Sequence, residues 1–229
     1  MTLEQRIQDV EARIQAACER SGRKRQEVNV IAVTKYVSLE ATGAAIRAGL
    51  TQIGENRWQD AEVKWRAYQD EAVWHFIGSL QSNKAKEVVG RFAYIHSVDR
   101  ISLAKAIEKQ ASELELKVPC FIQVNISGEQ SKQGLAPEEV APFLEQLKQY
   151  SHIRPIGLMT MAPFEAEPEQ TRPIFRGLRL LRDELNRTVG LNEPLTELSM
   201  GMSNDFEVAI EEGATWVRLG SILVGKEGE

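Results

Sequence analysis

The chain has 229 residues and a formal charge of −5. That is long enough to bury a full core, and it lacks the basic surplus of a general nucleic-acid binder. No apolar run is long enough to cross a membrane.

Residues 3–21 place Leu3, Ile7, Val10, Ile14 and Ala17 at helical spacing, which predicts an opening helix. This mixed-charge N-terminus has no apolar export signal, so the expected compartment is the cytoplasm. The stretch Val28–Lys35, VNVIAVTK, is an apolar, β-branched run ending in a lysine. It reads as a buried strand of a parallel sheet. Helix LEATGAAIRAG, strand TQIGEN, helix RWQDAEVKWRAY and strand AVWHFIGS follow. A short helix SNKAKEVVG, capped by Ser82 or Asn83, leads to strand AYIHSVD. Helix RISLAKAIEKQASEL, strand VPCFIQVNIS and the loop GEQSKQG come next. Helix APEEVAPFLEQLKQY precedes strand IRPIGLMTMA, and the polar loop PFEAEPEQ leads into helix IFRGLRLLRDELNRT. Strand TELSMGM, short helix NDFEVAIEEG and strand ATWVRLGSILVG complete the chain.

Strands alternating with helices imply a parallel sheet, and eight such units predict a closed (β/α)₈ TIM barrel, class α/β, with its working groups on the loops after the strands. An open doubly wound sheet is the alternative. No linker splits the chain, so residues 1–229 are read as one domain. Cys18 and Cys120 are far apart with no CxxC partner, as befits reduced thiols. His75, His96 and His152 lack metal-ligand spacing, and no metal is expected.

The strand ends collect at one rim: Lys35, Asn56, His75 with Ser79, Asn125, Met159, then Ser199, Gly201, Met202 and Ser203, and lastly Arg218, Gly220 and Ser221. A lysine ending an apolar strand either snorkels to solvent or carries chemistry. The SMGMSND loop opens a helix, with Asn204 and Glu207 at capping-box spacing. Its amides and those of Gly220-Ser221 suit an anion, at the loops where barrels commonly hold phosphate. Arg218 alternates with Val217 and Leu219 and shares a face with Trp216. It needs a buried acceptor, either a ligand or the carboxylate of Asp205 or Glu207. His75, alone in its strand, reads as a wall of the site, and Met159 as core filler or a surface for a ring. A lysine facing a phosphate site, with an arginine beside it, suits a phosphorylated aldehyde, pyridoxal 5'-phosphate (PLP).

The same residues carry a resemblance. VIAVTK, IGENR, WHFIGSLQSNK, HSVD, NISGEQSKQG, GLMTM and SMGMSNDFEVAIEEGATWVRLGSILVG cover almost the whole chain, which resembles the YggS/PROSC family of PLP-binding homeostasis proteins, cyanobacterial members included. The resemblance implies a barrel like the N-terminal one of alanine racemase, without that enzyme's C-terminal β-domain. It implies PLP held as a Schiff base on Lys35, and phosphate contacts from Ser199, Gly201, Met202, Ser203, Gly220 and Ser221. Arg218 would stand near the pyridine ring or the phosphate, with Asn56, His75 and Ser79 on matching motifs. Lys132 also matches, either in a PLP-related role or as a solvated loop lysine. The expected function is PLP homeostasis by a monomeric carrier without substantial turnover, its partners being PLP and PLP-accepting apo-enzymes. A PLP-dependent racemase and a PLP-tuned regulatory protein are the alternatives. Racemisation needs a second acid–base group, and strand alternation would point Tyr36 away from Lys35.

Overall fold

The computed structural model describes residues 1–129, 133–163 and 165–225. Strands β1 (Asn29–Val33), β2 (Gln52–Glu55), β3 (Val73–Phe76), β4 (Tyr94–Val98), β5 (Val118–Gln123), β6 (Ile153–Met159), β7 (Glu197–Ser199) and β8 (Trp216–Leu219) form a closed parallel barrel in sequence order. Closure pairs β8 with β1, with Arg218 opposite Ile31 and Leu219 opposite Ala32.

Around it stand α1 (Leu3–Ser21), α2 (Leu39–Arg47), α3 (Trp58–Tyr68), α4 (Ala85–Val88), α5 (Ile101–Glu113), α6 (Pro137–Leu147), α7 (Pro168–Thr188), α8 (Phe206–Glu211) and α9 (Ser221–Val224). The main core fills the layer between strands and helices, where Ile53, Ile95, Ile122, Leu158, Leu198 and Val217 are fully buried. A second, smaller cluster of Ile31, Phe121, Met159 and Trp216 lies inside the barrel. These two populations are the two faces of each strand, selected by the period-two alternation of side chains.

The opening helix occupies the predicted residues, with Thr2 and Gln5 making a capping box and Gly22 closing it at φ 68°. Three expectations change. The first strand stops at Val33, and Lys35 lies in the following turn. Residues 82–90 begin as a 3₁₀ turn with no side-chain cap from Ser82 or Asn83. The eighth strand ends at Leu219, and Ser221–Val224 coil into α9 instead of continuing it. In addition, α7 starts six residues earlier than its apolar pattern, at Pro168, because Glu167 and Gln170 bond reciprocally across its first turn.

Among the described residues no helix is long and apolar enough to cross a membrane.

Candidate functional site

The barrel's closure brings the end of β1 beside the ends of β8 and β7, so Lys35, Gly220-Ser221 and the loop Met200–Asp205 share one sector of the C-terminal rim. A Cβ on Gly220 would stand 3.9 Å from Val33, two residues before Lys35. The Lys35 turn closes with Val37 N–H donating to the Thr34 carbonyl at 3.1 Å. The lysine is half-buried, its Nζ 4.8 Å from the centroid of the exposed Tyr36 ring. Tyr36 therefore lies beside Lys35 and not on the opposite face, because alternation ceases once the strand becomes a turn.

In the β7 loop, Gly201 adopts φ +95°, and a Cβ there would sit 2.6 Å from Ala209 Cβ and 3.0 Å from Phe206 Cα. Only glycine lets this loop pack so closely on α8. Asn204 does not cap α8. Asp205 is the N-cap residue, its Oδ1 accepting from the Met202 N–H at 2.7 Å, while Glu207 pairs with Arg13 and Arg20. The two loops join where the Gly220 N–H donates to Ser203 Oγ at 3.4 Å. The N–H groups of Ser203, Asn204 and Ser221 have no backbone acceptor among the described residues. With the hydroxyls of Ser203 and Ser221, this donor set at the first turn of α9 fits a phosphate monoester.

Beneath the loops runs a buried polar chain. Arg218, 5% exposed, donates from Nη1 to Ser199 Oγ at 2.6 Å and from Nη2 to the Thr160 carbonyl at 3.0 Å. Ser199 Oγ lies 2.8 Å from His96 Nδ1, His96 Nε2 lies 3.0 Å from His75 Nδ1, and His75 Nε2 lies 2.8 Å from Gln52 Oε1. Arginine can only donate, so Ser199 accepts from it and gives its own proton to His96. The same logic makes each histidine carry its proton on Nε2. Burial holds His75 down to about 3, and burial, with the neighbouring His75 and then the positive charge of Arg218, holds His96 well below its ordinary value. Both are neutral. Burial lowers Arg218 to about 10, and the Asp205 carboxylate opposes the shift, so the guanidinium stays charged at neutral pH.

The predicted residues thus separate by position. Lys35, Gly201, Met202, Ser203, Arg218, Gly220 and Ser221 converge on the β7–β8–β1 sector. Ser199 belongs there too, but it is fully buried and its hydroxyl is engaged by Arg218 and His96. His75 lies deeper than the rim, stacked on Tyr94 at 4.7 Å between ring centroids, and reaches Arg218 only through His96 and Ser199. Met159 packs inside the barrel with Ile31, Phe121 and Trp216. Asn56 and Ser79 line a separate cleft of about 450 Å³ with Arg57, Gln81 and Lys84. Lys132 lies outside the described residues.

Two groups escaped the sequence reading. His96 was legible only as a lone histidine, since its partners come from adjacent and distant strands. Lys64 sits at helical spacing with Trp58 and Ala61 on the buried face of α3, a misplaced charge that was the available signal.

The family model for the alanine racemase N-terminal domain matches residues 6–228. The pyridoxal phosphate homeostasis protein of Aquifex aeolicus is 44% identical over 223 residues, 97% of each chain. That of Pseudomonas aeruginosa is 40% identical, covering 98% of this chain and 95% of its own. The solved structure of PipY from Synechococcus elongatus with PLP bound superposes with a TM-score of 0.82 at 37% identity, covering 93% of this chain and 99% of PipY. An alanine racemase from Clostridium difficile shares the barrel at 16% identity, with a TM-score of 0.72 and coverage of 99% of this chain and 57% of the racemase. With a match along almost its whole length, this chain belongs to the family of pyridoxal phosphate homeostasis proteins.

Proposed function

We propose that this protein binds PLP at the β7–β8–β1 sector of its rim, with Lys35 as the covalent attachment point, and serves PLP homeostasis as a carrier. One observation carries the reading: a primary amine beyond β1 shares a rim sector with unpartnered loop amides and a buried, charged Arg218. The aldehyde of PLP supplies reversible condensation with primary amines, which suits both retention and release. Ser203, Asn204 and Ser221 hold the phosphate through amides that have no backbone acceptor among the described residues, the Gly220 N–H tying the two loops together through Ser203 Oγ, and the chain from Gln52 to Ser199 holds Arg218 in place. PipY, which has been solved with PLP bound, is among the similar structures.

The site is suited to holding PLP more than to turning substrates over. His75 and His96 are bonded at both nitrogens and kept neutral by burial, so neither is free to exchange protons with a substrate. A guanidinium, which only donates, also makes a weaker electron sink at a pyridine nitrogen than a carboxylate would. The acceptors are PLP-requiring apo-enzymes. Free, buried Cys18 and Cys120 suit the reducing cytoplasm.

The test follows PLP transfer from the loaded protein to an apo-enzyme, and chirality and keto-acid formation with a panel of L- and D-amino acids. Transfer without amino-acid turnover is expected. Racemisation at about 1 per second or faster, lost in Lys35→Ala, would overturn the carrier reading.

A further inference from the structure

Beside the rim lies a buried ion pair that cofactor binding does not use. Glu55, at the end of β2, is fully buried, and Lys64, on α3, is 7% exposed. Lys64 Nζ donates to Glu55 Oε1 at 2.9 Å and to the Thr34 carbonyl at 2.6 Å. The Thr34 hydroxyl donates to the same Oε1 at 2.6 Å. The Thr34 N–H donates to the Gly54 carbonyl at 3.1 Å, and its carbonyl also accepts from Val37. Each polar atom of Thr34, the residue directly before Lys35, is therefore tied down. Glu55 Oε2 is buried with no hydrogen-bond partner among the described residues.

Stability alone does not account for this arrangement. Removing two charges from water costs about what their attraction returns, and apolar replacements of similar volume are often as stable. An unpartnered carboxylate oxygen adds further cost. What the pair achieves is local: it fixes the peptide from which Lys35 departs.

We infer that Glu55 and Lys64 are positioning residues for Lys35, setting the direction in which its amine meets the PLP aldehyde. The inference rests on the reading of Lys35 as the attachment point. In that step the neutral Nζ adds to the aldehyde carbon, the carbonyl oxygen departs as water with the two amine protons, and a C=N bond replaces C=O. Nothing is oxidised or reduced. The rate depends on the approach geometry of the amine, and small misplacements are costly in such reactions. The phosphate-binding loops, on β7 and β8, are not touched by the pair.

The experiment compares the wild type with the double variant Glu55→Leu/Lys64→Met, and with Thr34→Val, which keeps the charges and removes only the hydroxyl tie. Melting temperature, the rate of covalent PLP attachment and the affinity for pyridoxine 5'-phosphate, which has an alcohol in place of the aldehyde, are measured for each. The double variant is expected to melt near the wild type and to bind pyridoxine phosphate within about twofold, but to attach PLP about tenfold more slowly. Thr34→Val is expected to slow attachment by a smaller factor, and it stands as the test if the double variant does not fold. Attachment at the wild-type rate in the folded variants overturns the inference, as does equal weakening of both ligands. If the wild type itself carries no adduct on Lys35, the attachment reading fails, and that result is distinct because it precedes any variant.

Discussion

Arg218 Nη1 donates to Ser199 Oγ at 2.6 Å, joining the charged end of β8 to the last residue of β7 and, through it, to His96 and His75. This bond holds the guanidinium in the barrel mouth without neutralising it. Arg218→Gln is expected to weaken PLP retention by about 1.5–3 kcal/mol, the usual loss for a charge-assisted contact. Equilibrium dialysis against PLP measures it. Unchanged retention with a clear fall in melting temperature would assign Arg218 to a structural pairing with Asp205.

The same chain predicts a pH dependence of stability. His75 titrates near 3 in the folded protein, below its ordinary value of 6.5, and His96 shifts in the same direction, burial being the main cause for both. Well above pH 6.5 neither the folded nor the unfolded chain protonates them. Below it the unfolded chain takes up protons that the folded chain refuses, so stability falls as pH drops from about 6.5 towards the folded values. Each histidine adds at most about 1.4 kcal/mol per pH unit. Urea unfolding at pH 7.5 and 5.5 should show this loss in the wild type and a smaller one in His75→Gln. Equal slopes would contradict the buried neutral pair.

Gly201→Ala tests the loop after β7 that is proposed to hold the phosphate. The backbone at φ +95° and the 2.6 Å approach to Ala209 make any side chain there strained, at a cost of about 1–3 kcal/mol. The variant is expected to melt lower and to bind PLP less tightly. Wild-type stability with wild-type affinity would mean that the loop relaxes freely and does not hold its amides in place.

Much of the architecture is written in local patterns. The VNVIAV run, the helical spacing of residues 3–21 and the glycine and serine turns each specify an element without help from distant residues, and their alternation implies the barrel. The rim residues follow, since strand ends in a barrel share a face. What stayed hidden depends on register. The His75–His96–Ser199 chain exists because β3, β4 and β7 place three inward side chains within bonding distance inside the barrel, and no short window of sequence encodes that. Lys64 meets Glu55 and Thr34 only when α3 folds back on β1 and β2. Tyr36 was misplaced for the opposite reason, a periodic rule carried one turn beyond the end of its strand.

Lys35→Ala is expected to leave the barrel intact, with a stability change within about 1 kcal/mol, because a half-buried side chain in a rim turn contributes little to packing. Circular dichroism and thermal melting measure it. A variant that fails to fold would show that the lysine serves the structure.

The attachment point itself is tested most directly by loading the wild-type protein with PLP, reducing with borohydride, and mapping the modified peptide by mass spectrometry. A single phosphopyridoxyl group is expected on Lys35, and none in Lys35→Ala. A group placed on another lysine, Lys132 for instance, or no covalent group at all in protein that retains PLP, would contradict it.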